Sequence, residues 1–81
     1  MEYIKFLKKD KNKYYYAYQI EGFGEWGELW YNPIDDIGAC NKLAENDTEE
    51  NERYRNHAFN RIAKNIKNSY FPEKAELIAW G

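Results

Sequence analysis

From Tyr3 to Tyr31 apolar and polar residues alternate in short runs, each closed by a polar or glycine-bearing cluster, as consecutive β-strands do. The pattern predicts a first strand over Tyr3 to Lys8, a polar turn at Lys9-Asp10-Lys11-Asn12, and a second strand over Tyr14 to Ile20. Glu21-Gly22-Phe23-Gly24-Glu25 supplies two glycines for the next turn, and Trp26 to Tyr31 reads as a third strand that Asn32-Pro33 ends. From Ile34 the period becomes helical. Ile34, Ile37, Cys40, Leu43 and Ala44 share one stripe, which predicts a short helix weakened at Gly38. A longer helix follows, capped by Asp47 or Thr48 with Glu50 in the capping-box position. Its stripe is Tyr54, Ala58, Phe59, Ile62, Ala63, Ile66 and Tyr70, and it stops before Pro72. Ala75 to Trp80 is expected to return to the sheet as a fourth strand. The economical architecture is α+β: an antiparallel four-stranded sheet with two helices packed on one face.

Symmetric turns would pair Ile4 with Ala17 and Phe6 with Tyr15 in the first hairpin, and Ala17 with Leu29 in the second. Side chains alternate along a strand, so this pairing sorts the rings. One face then holds Ile4, Phe6, Tyr15, Ala17, Gly27, Leu29 and Tyr31, and suits the helices. The other holds Tyr3, Leu7, Tyr14, Tyr16, Tyr18, Ile20, Trp26 and Trp30 with Lys5 and Glu28. Rings tipped with hydroxyl or indole N–H suit a partly wet interface, unless the sheet curls or the second helix covers them. A slip of one residue in either turn would exchange the faces.

Composition narrows the class. With 81 residues, 43% hydrophobic and 32% charged, the chain suits one folded domain: too apolar for a disordered tail and too polar for a membrane protein. Its start, Met-Glu-Tyr-Ile-Lys-Phe-Leu-Lys-Lys-Asp, interleaves charges with apolar residues, so neither a signal peptide nor a membrane anchor is expected. The single Cys40 excludes an intrachain disulfide and a thiol metal cluster, fits a reducing cytoplasm, and is expected to be a small buried hydrophobe.

Charge is segregated along the chain. Residues 1–13 hold Lys5, Lys8, Lys9, Lys11 and Lys13 against Glu2 and Asp10, whereas residues 14–52 hold ten acids against Lys42 alone. Arg53, Arg55, Arg61, Lys64 and Lys67 then follow without an acid. Acids before a helix and bases toward its end are what the macrodipole favours, with Glu49 and Arg53 as an i, i+4 pair. Alternatively, the acidic segment is a docking patch for a basic partner. Catalytic groups are sparse: His57 has no nucleophile or acid at a recognisable spacing, Asp35-Asp36 are explained by a helix start, and no phosphate-binding glycine motif occurs. No enzyme, cofactor or metal site is expected.

The opening Met-Glu-Tyr-Ile-Lys-Phe-Leu resembles the first strand of small phage-encoded anti-CRISPR proteins of the type I-F group, over about seven residues. The resemblance implies a compact phage or mobile-element protein that inhibits a host defence complex by stoichiometric binding, in the host cytoplasm, as a monomer or homodimer. On that reading Tyr16, Tyr18, Trp26 and Trp30 are aromatic anchors. Asp35, Asp36, Glu49 and Glu50 would dock the basic surface of a protein built to hold nucleic acid. The alternative is a single-stranded nucleic-acid-binding protein that stacks bases on an aromatic sheet face and meets phosphates with Lys8, Lys9, Lys11 and Lys13.

Overall fold

The structure, a computed structural model, describes residues 1–80. The strands β1 (Glu2–Asp10), β2 (Lys13–Ile20), β3 (Gly27–Asn32) and β4 (Ile37–Lys42) precede the helix α1 (Arg53–Lys67), and β5 (Glu76–Ile78) follows it. They form one antiparallel sheet in the order β4-β3-β2-β1-β5. The α+β class, the opening meander and the return of the last strand to the sheet agree with the sequence pattern, and the structure places that strand beside β1. The sheet, however, has five strands instead of four, and among the described residues one helix instead of two.

The expected short helix is β4. Asn32 diverts the chain: its Oδ1 accepts the backbone N–H of Ile34 at 2.9 Å and of Asp35 at 3.4 Å, and Asp36 turns back with φ 53°. Ile37 to Lys42 then pair with β3. Ile34 and Ile37, which seemed to open a buried stripe, are 73% and 53% exposed. Cys40 is half-buried on this strand. Gly38 is required there, because a Cβ would collide with the ring of Phe59 on the helix.

Neither hairpin keeps the symmetric pairing, and over the core half of the sheet β2 is displaced by one residue against both β1 and β3. Lys11 and Asn12 alone make the first loop, with Lys11 at φ 56°, so Lys9 pairs with Tyr14 and Lys8 with Tyr15. A bulge at Leu7 then shifts the register by one, so Phe6 pairs with Tyr16 and Ile4 with Tyr18. In the second hairpin Tyr16 pairs with Leu29 and Tyr15 with Trp30. Strand β2 is therefore turned over relative to the expectation. Tyr16, Tyr18 and Ile20 join Ile4 and Leu29 beneath the helix, where Ala58 and Ile62 meet them.

Helix α1 buries Arg55, Ala58, Ile62 and Asn65, spaced by threes and fours along one face. It ends when Ser69 takes φ 52°, the Ser69 N–H donates to the Ile66 carbonyl and the Tyr70 N–H to that of Asn65. This is a Schellman close, and it leaves Tyr70 exposed instead of on the buried stripe. The helix start is corrected as well. Its cap is Glu52, without a side-chain hydrogen bond, so neither Asp47 nor Thr48 caps it, and Glu49 and Glu50 lie in the preceding loop.

Asp47 is buried instead. Its Oδ2 accepts the Tyr18 hydroxyl at 2.5 Å and the Arg55 guanidinium at 2.8 Å, and the Ala44 N–H donates to the Tyr18 hydroxyl. Arg55 also donates to the carbonyls of Thr48 and Glu49, so this cluster fixes the loop between β4 and α1. Burial, reinforced by the bond to Asp47, pushes the Tyr18 phenol pKa up. Gly27 permits the arrangement, since a Cβ there would strike Tyr18 and the Ala44 backbone. Removing one member of a buried pair strands the other, so Asp47→Ala is expected to cost about 3–5 kcal/mol in denaturant unfolding.

The Glu2 carboxyl is fully buried on the same face and neither oxygen has a hydrogen-bond partner. Burial first, and the charge of Asp47 second, raise its pKa from 4.5 to about 8. Between those values the folded protein holds a proton that the unfolded chain has released, so Glu2 lowers stability as pH rises through that interval. Glu2→Met is expected to raise the Tm above pH 8, to change it little below pH 4.5, and to flatten the decline between them in thermal melts.

Candidate functional site

The helix covers one face of the sheet and leaves the other open. Alternation along the paired strands places Tyr3 and Lys5 of β1, Lys13, Tyr15, Ala17 and Gln19 of β2, Glu28 and Trp30 of β3, and Ala39 of β4 on the open face. Tyr15 and Trp30 are cross-strand partners on the two adjoining strands β2 and β3, both half-buried, so each presents part of its ring to solvent. Lysines flank them. Lys8 Nζ lies 5.0 Å from the Tyr15 ring centroid, and Lys13 Nζ lies 4.2 Å from that of Trp30. The bulge at Leu7 is what brings Lys8 to this side, beside Tyr15. Lys5 stands opposite Ala17, which with Ala39 keeps the surface around the rings low.

The carboxylate of Glu28 is the acid in the middle of this face, and Asn41 Nδ2 donates to it at 2.9 Å. Asp10, across from Lys13, is a second acid at the margin, so the three lysines Lys5, Lys8 and Lys13 outnumber two acids around the rings. Asp35 and Asp36 lie in the β3–β4 turn at the same end of the sheet as Lys11, and a further group of acids lies at the other end. Glu21 pairs with the N-terminal ammonium, Glu25 with Lys42, and Glu45 accepts the Glu25 N–H, all around the β2–β3 turn at the end of the meander opposite Lys11. Exposed ion pairs of this kind add little stability, but they show where the negative charge sits.

Of the expected aromatic anchors, Tyr16 and Tyr18 are core residues, 1% and 0% exposed, and offer no ring to a partner. Their reassignment follows from the slipped register of β2. Trp30 is on the open face, and Trp26 is half-buried in the connection before β3. Asp35 and Asp36 lie in the β3–β4 turn, where Asp35 accepts from Asn32 Nδ2 and Asp36 accepts the Tyr31 hydroxyl, which pushes the Tyr31 pKa up. Glu49 and Glu50 are exposed on the loop before α1, apart from that turn in sequence and joined to it by no contact. The structure thus does not assemble the four acids into one patch with the rings. Of the four lysines, Lys8 and Lys13 flank the rings, Lys11 is in the turn beside them, and Lys9 lies over Tyr14 on the helix side.

Tyr15 was missed as a surface ring because the face of β2 was inverted, whereas Tyr3 lies on the open face as expected. His57 is stacked on Trp80, 4.1 Å between centroids, and pairs with no nucleophile. Among the described residues no three His, Cys, Asp or Glu side chains gather in a metal-binding arrangement, and no helix is long and apolar enough to cross a membrane.

Fold and face together define a small α+β domain with one helix-covered and one open, lysine-flanked aromatic sheet surface. No protein-family model, curated protein or solved structure matches the chain at a significant level. The surface assignment predicts opposite responses from neighbouring tyrosines. Tyr16→Ala should cost about 3–5 kcal/mol, as loss of a buried ring does. Tyr15→Ala should stay within about 1 kcal/mol, the scale of one cross-strand pair, in the same denaturant titration.

Proposed function

We propose that this chain is a non-enzymatic module that binds single-stranded nucleic acid on the open face of its sheet. The observation that carries the reading is the Tyr15–Trp30 pair on adjoining strands with Lys5, Lys8 and Lys13 around it. Rings side by side on a flat sheet stack successive bases without regard to sequence, and ammonium groups at their margins meet the phosphates between those bases. The Lys8 and Lys13 ammoniums now over the rings sit on flexible stems, so they exchange a ring for a phosphate without backbone movement. The acids Glu21, Glu25 and Glu45 lie at the other end of the sheet from Lys11, and Glu28 and Asp10 beside the rings are outnumbered by Lys5, Lys8 and Lys13.

The same face would also seat a protein, as an anti-CRISPR-like inhibitor of a defence complex requires. That reading loses Tyr16 and Tyr18 as anchors and gains no basic-partner patch from the dispersed acids, so the strand-binding reading is the better supported.

Fluorescence anisotropy of labelled single-stranded oligonucleotides tests it. Binding is expected at low salt, with log K falling against log salt at a slope of about −2, since each of three neutralised phosphates contributes roughly −0.7. Trp30→Ala or Tyr15→Ala should each weaken binding by about 1–3 kcal/mol, and Trp30 fluorescence should quench on binding. No detectable binding at low salt would sink the proposal and leave a protein as the occupant of this face.

A further inference from the structure

Beside the platform, at the end of the first hairpin, Asp10, Lys11, Asn12, Lys13, Tyr15 and Asn32 line a cleft of about 340 Å³. Its size suits one small flat molecule, near the lower end of ligand-binding clefts. It is built by local geometry: the two-residue loop turns at Lys11 with φ 56°, and Asp10 and Lys13 close it as a cross-strand pair. The cleft is continuous with the open face, because Tyr15 belongs to both and Lys13 reaches from one to the Trp30 ring on the other.

Its polar groups are uncommitted. Among the described residues the side chains of Asp10, Lys11, Asn12 and Lys13 make no hydrogen bond or ion pair, whereas Asn32 is held by Ile34 and Asp35. The cleft of similar size beside the end of α1 differs in this respect. There Arg61 and Asn65 both bond to Glu76 and satisfy one another.

We propose that this hairpin cleft takes one unstacked base of the bound strand, stacked on Tyr15, and selects a base carrying an exocyclic amino group through Asp10. The inference rests on the strand-binding reading above. An ionised carboxylate only accepts hydrogen bonds. It accepts from the N4 amino group of cytosine, while thymine offers a carbonyl oxygen at that position. The Asn12 amide can donate to or accept from the same base edge, and the Lys11 and Lys13 ammoniums meet the flanking phosphates. A carboxylate beside two ammoniums offers an acceptor that a phosphate cannot use and that a base edge next to a phosphate can.

The test compares labelled oligo-dC with oligo-dT of equal length on the full chain, by anisotropy at one fixed salt concentration and neutral pH. Oligo-dC is expected to bind at least about five-fold more tightly, the lower end of discrimination by a base-edge contact. Asp10→Asn should bring the dC to dT ratio close to one while oligo-dT binding stays the same or tightens, since a negative charge has been removed. In wild type, amide resonances of Lys11 and Asn12 should shift more with oligo-dC than with oligo-dT, a readout that needs no variant. Equal affinities for the two strands, both dependent on Trp30, would overturn the cleft assignment and leave strand binding standing. A preference for dC that survives Asp10→Asn would also overturn it. Failure of both strands to bind would overturn the strand-binding reading itself, and the cleft assignment with it.

Discussion

The buried Asp47–Arg55 pair, with the Tyr18 hydroxyl on the same carboxylate oxygen, is the interaction on which the arrangement depends. The Asp47 side chain is 0% exposed, so its charge is tolerable only because Arg55 and Tyr18 face it. The consequence is architectural. The loop after β4 has no strand or helix to hold it, and this cluster ties it to the centre of β2 and to the first turns of α1 at once. It sets where the helix begins and which side of the sheet it takes. A helix of 15 residues, roughly 22 Å long, cannot cover both sides of a five-stranded sheet, so the other side is left open.

The element sequence was largely legible. Alternation marked β1 to β3, the spacing of Ala58, Phe59, Ile62 and Ile66 marked α1, and the apolar residues after Pro72 marked β5. What failed were features that depend on pairing and not on period. In β2, Tyr14, Tyr15, Tyr16 and Tyr18 place rings on both faces, so alternation carried no face information, and the bulge at Leu7 with the length of the second loop decided which way the strand turned. Nothing local distinguishes a four-residue turn at Lys9 to Asn12 from a two-residue loop with a bulge three residues before Asp10. Ile34, Ile37 and Cys40 fell at a helical spacing by coincidence, and only the Asn32 side chain bonded to the next backbone N–H groups shows that a turn comes first. Asp47 looked like a cap because its position was right. Its partner Arg55 lies eight residues on, too far for a local rule.

The site was read in fragments for the same reason. Trp30, Lys8 and Lys13 were recognised, while Tyr15 was assigned to the core and Tyr16 and Tyr18 to the surface. The inversion also hid the charge of the face. With β2 in the expected register the platform carries Lys5 against Glu28; in the observed register Lys8 and Lys13 join it. Phe71, which packs on Phe6 and stacks 5.6 Å from Tyr14, closes the helix side of the same hairpin from a segment the hydrophobic pattern left unassigned. Each side of the first hairpin thus has its own set of rings, one sealed by Phe71 and one open.

The extra residue at Leu7 bears on how such a surface could change over generations. It divides the strand into a first half, whose inward residues Ile4 and Phe6 the core needs, and a second half, whose orientation the core does not dictate. Losing the Leu7 codon would make Phe6 and Lys8 neighbours, still opposite Tyr16 and Tyr15, so the packing of Ile4 and Phe6 and the lysine beside Tyr15 would both survive in a straighter strand. Lineages carrying the longer and the shorter strand would share one interior and the same outward residues and differ in the local bend, which makes this position a place where the curvature of the surface can diverge while its chemistry is kept.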